Sequence, residues 1–453
     1  MSNTEKLHVS TALAVLLSVC PSVAMAQEAY LNKDVPAFMD TGYSNERNDP
    51  RYATAETNAA VRLLSGFLEI WQPRTPYVDA DNAIDAGYGY PAVPATDWDG
   101  IPGSATDGKV LNQAVHDYNI QYVIDATRNR TAQEAEDAYL DDRRAKGYSV
   151  LTGLGPLQEA WVKGSKQYTT ILGVADDATT VKYDDEGNNN GAGWWEGNED
   201  LGIAVELVGR MGYHASTEPS KRYFKYARPW RWSDEVSVLP TLEPAKNPNP
   251  VKDGGFPSGH TAEAWRDSLA LAYMVPQRFQ ELVTRAVSLG DSRILAGMHS
   301  PLDVIGGRML GTASVVYNLN RENGDDGFNW QDLKQDAYDQ AQAWLMKETD
   351  SATAADLYIA AHEGDLSVDR FADREANAAY VAERLTYGFA PIGATDEPMH
   401  VPKGAEVLLE TRMPYLTADQ RRAVLATTGL PSGLPVMDDP EGYGRLNLFA
   451  AAD

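Results

Sequence analysis

Cysteine is almost absent, since Cys20 is the only one in 453 residues. It lies in an apolar stretch that ends in Ala24-Met25-Ala26, the small-x-small pattern that signal peptidase cleaves. We predict a signal peptide over residues 1–26, cleaved near Ala26, and a periplasmic or secreted bacterial protein. A lipid anchor on Cys20 is the competing interpretation, which the residues beside the cysteine disfavour. A mature chain without cysteine excludes disulfides, thiolate nucleophiles and cysteine-based metal sites.

Positive charge is also scarce, with 39 Lys and Arg residues against 65 Asp and Glu residues and a formal net charge of −26. Such a surface is repelled by nucleic acids and by anionic lipids, so we expect neither as a partner. No apolar run after residue 26 approaches the roughly 20 residues that a membrane helix requires, which predicts no stable membrane insertion. The composition is compatible with either a monomer or a homo-oligomer.

Strand-like alternation is sparse, whereas apolar residues recur at three- and four-residue steps in many segments. Clear examples are residues 54–71, 277–289 and 302–319, and Gly290 is expected to end the second of these helices. The chain is therefore predicted to be mainly α.

We divide the chain into three parts. Residues 1–26 form the signal peptide, residues 27–324 form a helical domain, and residues 325–453 form a helical or irregular extension packed on or beside that domain.

A basic cluster is conspicuous in so acidic a chain. Lys221, Arg222, Lys225 and Arg228 lie within eight residues. A spacing of seven would place Lys221 and Arg228 on one face, two turns apart, if the segment is helical. A lysine and an arginine on that face would bind phosphate well, although an exposed basic patch is the simpler interpretation of the cluster alone.

A second segment, Pro257-Ser258-Gly259-His260, precedes a helical pattern. It offers a hydroxyl group, an imidazole and a glycine that lets the backbone approach a ligand closely, at a helix start that favours anions. Alone, it is equally explained by Ser258 as a helix cap and His260 as a structural histidine.

The third segment is His299-Ser300-Pro301-Leu302-Asp303. Ser300 as the N-cap, Pro301 at the first helical position and Asp303 at the third predict a capping box. This explains Asp303 without catalysis, but it explains neither His299 nor Arg293, six residues before that histidine.

Together, these three segments resemble the tripartite signature of the type 2 phosphatidic acid phosphatase superfamily. That superfamily includes bacterial class A nonspecific acid phosphatases, lipid phosphatases and vanadium-dependent haloperoxidases, and residues 255–261 and 289–299 are most similar to the class A enzymes. The resemblance covers a motif core of about residues 199–319. It implies a helical bundle of the acid phosphatase and vanadium haloperoxidase type, with additional N- and C-terminal segments.

The resemblance also implies roles for individual residues. His299 would be the nucleophile that forms a phosphohistidine, Asp303 would orient its ring, and His260 would be the general acid and base. The residues implied to hold the phosphoryl group are Lys221, Arg228, Ser258, Gly259 and Arg293. No metal or other cofactor is implied, and vanadate would occupy the phosphate site as an inhibitor.

The expected activity is hydrolysis of small phosphate monoesters at acidic to neutral pH. His299 must be neutral and His260 protonated near their ordinary pKa of about 6.5, which predicts a bell-shaped pH profile. Three alternatives stay open: a vanadium-dependent haloperoxidase with vanadate as its cofactor, a lipid or diphosphate phosphatase acting from the periplasm, and a phosphate-binding protein without activity.

Overall fold

A computed structural model describes residues 37–39, 45, 53–87, 89, 91–322 and 329–453. The predicted signal peptide, residues 1–26, lies outside them. The described chain is mainly helical, as predicted, and its strands β1 (Trp71–Gln72) and β2 (Lys109–Val110) form one antiparallel pair. Within these described ranges, no helix combines the length and apolar character needed to cross a membrane.

The helices are numbered along the chain. They are α1 (Ala59–Leu63), α2 (Gln113–Asn129), α3 (Ala132–Arg143), α4 (Lys146–Ser149), α5 (Gln158–Ser165), α6 (Gly202–Arg210), α7 (Glu218–Phe224), α8 (Pro229–Trp232), α9 (Gly259–Met274), α10 (Phe279–Leu295), α11 (Pro301–Leu319), α12 (Trp330–Glu348), α13 (Ala354–Ala361), α14 (Arg374–Arg384), α15 (Ala418–Thr427) and α16 (Leu448–Ala451). Short 3₁₀ segments are Ser65–Glu69, Val150–Leu157, Trp194–Glu196, Pro240–Ala245, Pro250–Lys252, Pro276–Arg278 and Ala405–Leu409.

Helices α9, α10 and α11 form the centre of the molecule and pack against one another. Every residue of α10 from Phe279 to Ile294 is buried. Glycines of α11 let it approach α9 closely, since a Cβ at Gly311 would lie 2.5 Å from the carbonyl oxygen of Ala262. This close approach brings the N-terminal ends of α9 and α11 together.

The prediction that Gly290 ends a helix is wrong, because α10 continues to Leu295. A Cβ at position 290 would lie 2.8 Å from Val304 Cγ1, so glycine is required here for helix packing. The predicted helix over residues 54–71 is also divided, into α1, a 3₁₀ segment and β1.

The segments on both sides of the motif core pack onto these helices. One apolar core receives side chains from Phe38 at one end of the chain to Ala452 at the other. Helix α12 lies against α6, and α10 contacts α2, α3, α14 and α16.

Candidate active site

A cleft of about 490 Å³ lies where α7, the start of α9 and the loop before α11 meet. Its lining is mostly polar and consists of Gly212, Ala215, Ser216, Thr217, Glu218, Lys221, Arg228, Gly259, His260, Glu263, Arg266 and His299. The structure thus brings five residues predicted from three separate segments to one cleft: Lys221, Arg228, Gly259, His260 and His299.

Asp303 holds the His299 ring at its Nδ1 atom. Its Nδ1 lies 3.2 Å from Asp303 Oδ2, which also accepts the Ser300 backbone N–H at 2.9 Å. The capping box predicted for Ser300 and Asp303 is present. Asp303 therefore both caps α11 and orients the imidazole, and the two roles use the same carboxylate oxygen.

The other ring nitrogen of His299 faces the cations of the cleft. Arg228 Nη1 lies 2.8 Å from His299 Nε2, and because arginine can only donate, Nε2 must accept. The proton of a neutral ring then sits on Nδ1, directed at Asp303. Burial, together with the charges of Arg228, Arg293 and Lys221, lowers the pKa of His299 well below its ordinary value. The lone pair of Nε2 thus faces the cleft, where it accepts the hydrogen bond from Arg228.

Asp303 is fully buried, and burial raises its pKa to about 7 against the opposing effects of the Ser300 N–H and the Arg228 charge. A carboxylate with a raised pKa is a stronger proton acceptor than a surface aspartate. It is suited to hold the Nδ1 proton of His299.

Arg228 is held by a carboxylate that sequence reasoning missed. Its Nε donates to Asp253 Oδ1 at 2.6 Å, while Arg231 donates to Asp253 Oδ2 at 3.1 Å. Arg228 Nη1 also donates to the Met298 carbonyl oxygen at 2.9 Å. These contacts direct the guanidinium group at His299.

Lys221 and Arg228 do not share a helical face, which corrects the prediction from their spacing. Helix α7 ends at Phe224, Lys225 has a left-handed φ of 49°, and Arg228 is extended. The chain reverses at Lys225, and that reversal brings both cations to the cleft. Lys225 itself is buried beside Asp79, with its Nζ 3.0 Å from Asp79 Oδ2.

Lys221 lies next to the start of α9. A Cβ at Gly259 would lie 4.0 Å from Lys221 Nζ and 3.2 Å from Thr217 Oγ1. Burial, followed by the charge of Arg228, lowers the pKa of Lys221. The glycine keeps the backbone N–H groups at the start of α9 open to a ligand beside the lysine.

His260 is the second residue of α9 and is half-buried in the cleft. Burial lowers its pKa to about 3, the charge of Lys146 adds to this effect, and Glu263 opposes it. Lys146 was not predicted; it is buried at the start of α4, and its Nζ donates to the Arg144 carbonyl oxygen at 2.7 Å. His260 is therefore neutral at neutral pH in this geometry.

Arg293 lines an adjoining cavity of about 190 Å³ that also contains Arg228 and His260. It forms a buried ion pair with Asp142 of α3, and burial lowers its pKa to about 9. Asp142 is a further positioning group that sequence reasoning missed.

Ser258 does not line the cleft. It is fully buried, and its Oγ accepts from the Thr261 N–H at 3.3 Å and from Thr261 Oγ1 at 2.8 Å. The structure therefore shows the helix-capping role, and contact of this hydroxyl with phosphate stays a prediction.

Known proteins resemble the part of the chain that carries this site. Residues 203–323 match the PAP2 superfamily. The non-specific acid phosphatase of Salmonella typhi is 34% identical over 107 residues, which are 24% of this chain and 41% of the relative. That of Salmonella typhimurium is 33% identical over 106 residues, 23% of this chain and 41% of the relative. The acid phosphatase of Zymomonas mobilis is 34% identical over 65 residues, 14% of this chain and 25% of the relative.

The matched segment spans about two fifths of the length of the two Salmonella relatives. The resemblance predicted from the three motifs is confirmed. Residues 203–323 of this chain are similar to the PAP2 superfamily and to the corresponding part of bacterial non-specific acid phosphatases.

Proposed function

We propose that the chain is a phosphoric monoester hydrolase that acts on small phosphate esters through a phosphohistidine. The observation that supports it best is the placement of His299, whose Nδ1 is held by Asp303 while its Nε2 meets the cations of the cleft. A site that only bound phosphate would need the cations, but it would not need an oriented, unprotonated ring nitrogen. The likeness to acid phosphatases supports the same reaction.

In the first step, His299 Nε2 attacks phosphorus and the bond to the ester oxygen breaks. His260 gives its proton to the leaving alkoxide, and the positive charge that develops on His299 is balanced by Asp303. Lys221, Arg228 and Arg293 neutralise the phosphoryl oxygens, so the proposed mechanism uses no metal.

In the second step, water attacks the phosphohistidine. His260, now neutral, takes the proton of that water, the P–N bond breaks and inorganic phosphate leaves. Both histidines return to their starting states, so the two steps balance in atoms and protons.

The pKa of His260 places one condition on the first step, because a value of about 3 leaves little protonated imidazole at neutral pH. A bound phosphate ester brings negative charge beside Lys221 and Arg228, so we expect it to raise this pKa. Hydrolysis should be fastest at acidic to neutral pH. At higher pH the bound state loses the His260 proton, and at lower pH protonation of Asp303 removes the charge that balances His299.

Export to the periplasm or beyond is part of the same proposal. It rests on the residues that precede Gln27 and on the bacterial origin of the similar acid phosphatases. Comparing the N-terminal residue of the purified exported protein with Gln27 tests it.

Trapping the intermediate tests the reaction. The reaction with a phosphate ester labelled at phosphorus is quenched with base. Base-stable label should then appear on wild type and on His260→Ala, and be absent from His299→Ala. The His299→Ala variant should lose at least about 10⁴-fold in kcat. The control is His362→Ala, because that half-buried histidine pairs with Glu281 outside the cleft.

Two outcomes would contradict the proposal. Label retained by His299→Ala would assign the nucleophile elsewhere. Bromination that requires added vanadate and peroxide, with no phosphate release from p-nitrophenyl phosphate, would instead indicate a vanadium-dependent haloperoxidase. A preference for lipid phosphates or diphosphates would leave the phosphohistidine in place but replace the proposed substrate class by that of a lipid or diphosphate phosphatase.

A further inference from the structure

The residues that line the cleft fall into two chemical groups. Cations and histidines surround the phosphate position. The remaining lining residues are small or hydrophilic, without a large aliphatic or aromatic side chain among them: Gly212, Ala215, Ser216, Thr217, Glu218, Glu263 and Arg266. The alcohol part of a substrate would therefore meet polar groups.

Two of these residues lie on α9 directly beyond His260. A rise of about 1.5 Å per residue places Glu263 about 4.5 Å and Arg266 about 9 Å farther along the helix axis. Glu263 is close enough to His260 for its charge to oppose the lowering of the pKa of that histidine. A leaving group protonated by His260 would thus extend alongside Glu263 and Arg266.

Glu263 and Arg266 form an ion pair that stays accessible. Arg266 Nη2 lies 3.4 Å from Glu263 Oε1, and the two side chains are 23% and 33% exposed. Arg266 Nε also lies 3.4 Å from Asp267 Oδ1, which holds the guanidinium in place. An ion pair one helical turn apart is common on protein surfaces, but this one faces the cleft that contains both candidate catalytic histidines.

We propose that Glu263 and Arg266 bind the leaving group and select a polyhydroxylated alcohol, such as that of a sugar or polyol phosphate. This inference rests on the proposed phosphatase function. Adjacent hydroxyl groups can donate to the Glu263 carboxylate and accept from the Arg266 guanidinium at the same time.

Other leaving groups fit this pair less well. An anionic alcohol meets Glu218 and Glu263, and a cationic one meets Arg266 beside Lys221 and Arg228. An alkyl chain would cover the charged pair without hydrogen-bonding to it, which costs desolvation free energy.

The test compares kcat/KM for glucose 6-phosphate, hexyl phosphate and p-nitrophenyl phosphate. Wild type should prefer the sugar phosphate to hexyl phosphate by at least about tenfold. Arg266→Leu should lose about 10- to 100-fold on the sugar phosphate, the range expected for hydrogen bonds to a charged group, and less than about threefold on hexyl phosphate. Glu263→Gln, which keeps an acceptor oxygen without the charge, should show a smaller loss of the same selectivity.

Arg128→Leu is the matched control. Arg128 forms a similar pair with exposed Asp125 on α2, and it does not line the cleft. Both positions are partly exposed, so the leucine variants should fold, which thermal unfolding verifies.

The outcomes distinguish a failure of the leaving-group inference from a failure of the phosphatase proposal. If wild type hydrolyses all three esters without preference, or Arg266→Leu keeps the wild-type ratio, the inference is wrong while the phosphatase proposal stands. If wild type releases phosphate from none of them, the phosphatase proposal fails and the inference fails with it.

Discussion

The motif core, residues 199–319, and the segments that flank it contribute differently to the candidate site. All the residues proposed to react with phosphate come from the motif core. The carboxylate that pairs with Arg293 is Asp142, from α3 in the N-terminal flank. The segment that resembles known enzymes thus supplies the proposed reactive groups, while part of their positioning comes from residues outside it.

The C-terminal flank holds two guanidinium groups inside the motif core. Arg278 is fully buried and lies 2.8 Å from Asp369, while Arg308 donates to the carbonyl oxygens of Leu385 at 2.9 Å and Gly444 at 3.0 Å. Buried cations without such partners are strongly destabilising. The flank therefore stabilises helices α10 and α11, which carry Arg293 and Asp303.

The largest effect should come from removing the carboxylate that the N-terminal flank supplies. Asp142→Ala leaves Arg293 as a buried cation without its partner, which should cost about 3–5 kcal/mol in the free energy of unfolding. Displacement of Arg293 should also lower kcat/KM for p-nitrophenyl phosphate by about 10²-fold. Urea unfolding and steady-state kinetics measure the two effects.

The control for Asp142 is Asp184→Ala, because Asp184 is 67% exposed and pairs with Arg143 at the surface. Its stability and activity should match wild type. Wild-type activity in Asp142→Ala would show that Arg293 needs no partner from the flank. The N-terminal flank would then have no role in positioning this catalytic candidate.

A second prediction separates stability from catalysis in the C-terminal flank. Asp439 accepts four backbone N–H groups, those of Glu441, Gly442 and Tyr443 on Oδ1 and that of Gly444 on Oδ2. Asp439→Ala should lower the free energy of unfolding by about 3 kcal/mol, because these buried donors lose their acceptor. The kcat of the folded variant should stay within about twofold of wild type.

Exposed Asp396 provides the comparison for Asp439, and Asp396→Ala should unfold at the wild-type urea concentration. A large loss of kcat in folded Asp439→Ala would mean that the loop after Asp439 acts on the site as well as on stability.

The site residues that could be predicted from sequence are those whose neighbours in the chain form a recognisable local pattern. Ser300 and Asp303 follow the spacing of a capping box, and His260 follows a helix start. Asp142 could not be linked to Arg293, because 151 residues separate them and an acidic chain offers many carboxylates.

Predictions from local spacing were wrong where tertiary packing or a single residue determines the backbone conformation. Gly290 has the position of a helix stop, yet Val304 requires a glycine there within a continuous helix. Lys221 and Arg228 have helical spacing, yet the left-handed backbone of Lys225 turns the chain between them. In each case a contact distant in sequence, or a single backbone dihedral, determined the outcome.

A third prediction concerns the charge state of the motif core. His260 has a pKa of about 3 in the folded chain and about 6.5 when unfolded, so the unfolded state binds more protons between these values. The contribution of His260 to the free energy of unfolding is therefore at its maximum above pH 6.5. It decreases as pH falls, by about 2 kcal/mol at pH 5.

Measuring unfolding of wild type and His260→Gln at pH 8 and pH 5 isolates this contribution, because other titrating groups such as Asp303 are common to both. Relative to His260→Gln, the free energy of unfolding of wild type should be about 2 kcal/mol lower at pH 5 than at pH 8. Inorganic phosphate in excess should reduce the shift, and a shift of the opposite sign would mean that His260 is protonated in the folded chain.

The smallest effect should come from Ser258, and it tests a residue at which the motif and the structure suggest different roles. Its Oγ caps α9 by accepting from Thr261, in a position that does not line the cleft. Ser258→Ala should therefore cost about 1 kcal/mol in stability, the usual value for a lost N-cap. If capping is its main role, kcat/KM falls by less than about tenfold. A 100-fold loss of kcat/KM without a matching loss of stability would instead place the hydroxyl on the phosphoryl group, as the resemblance implies, and would require Ser258 to turn toward the cleft when substrate binds.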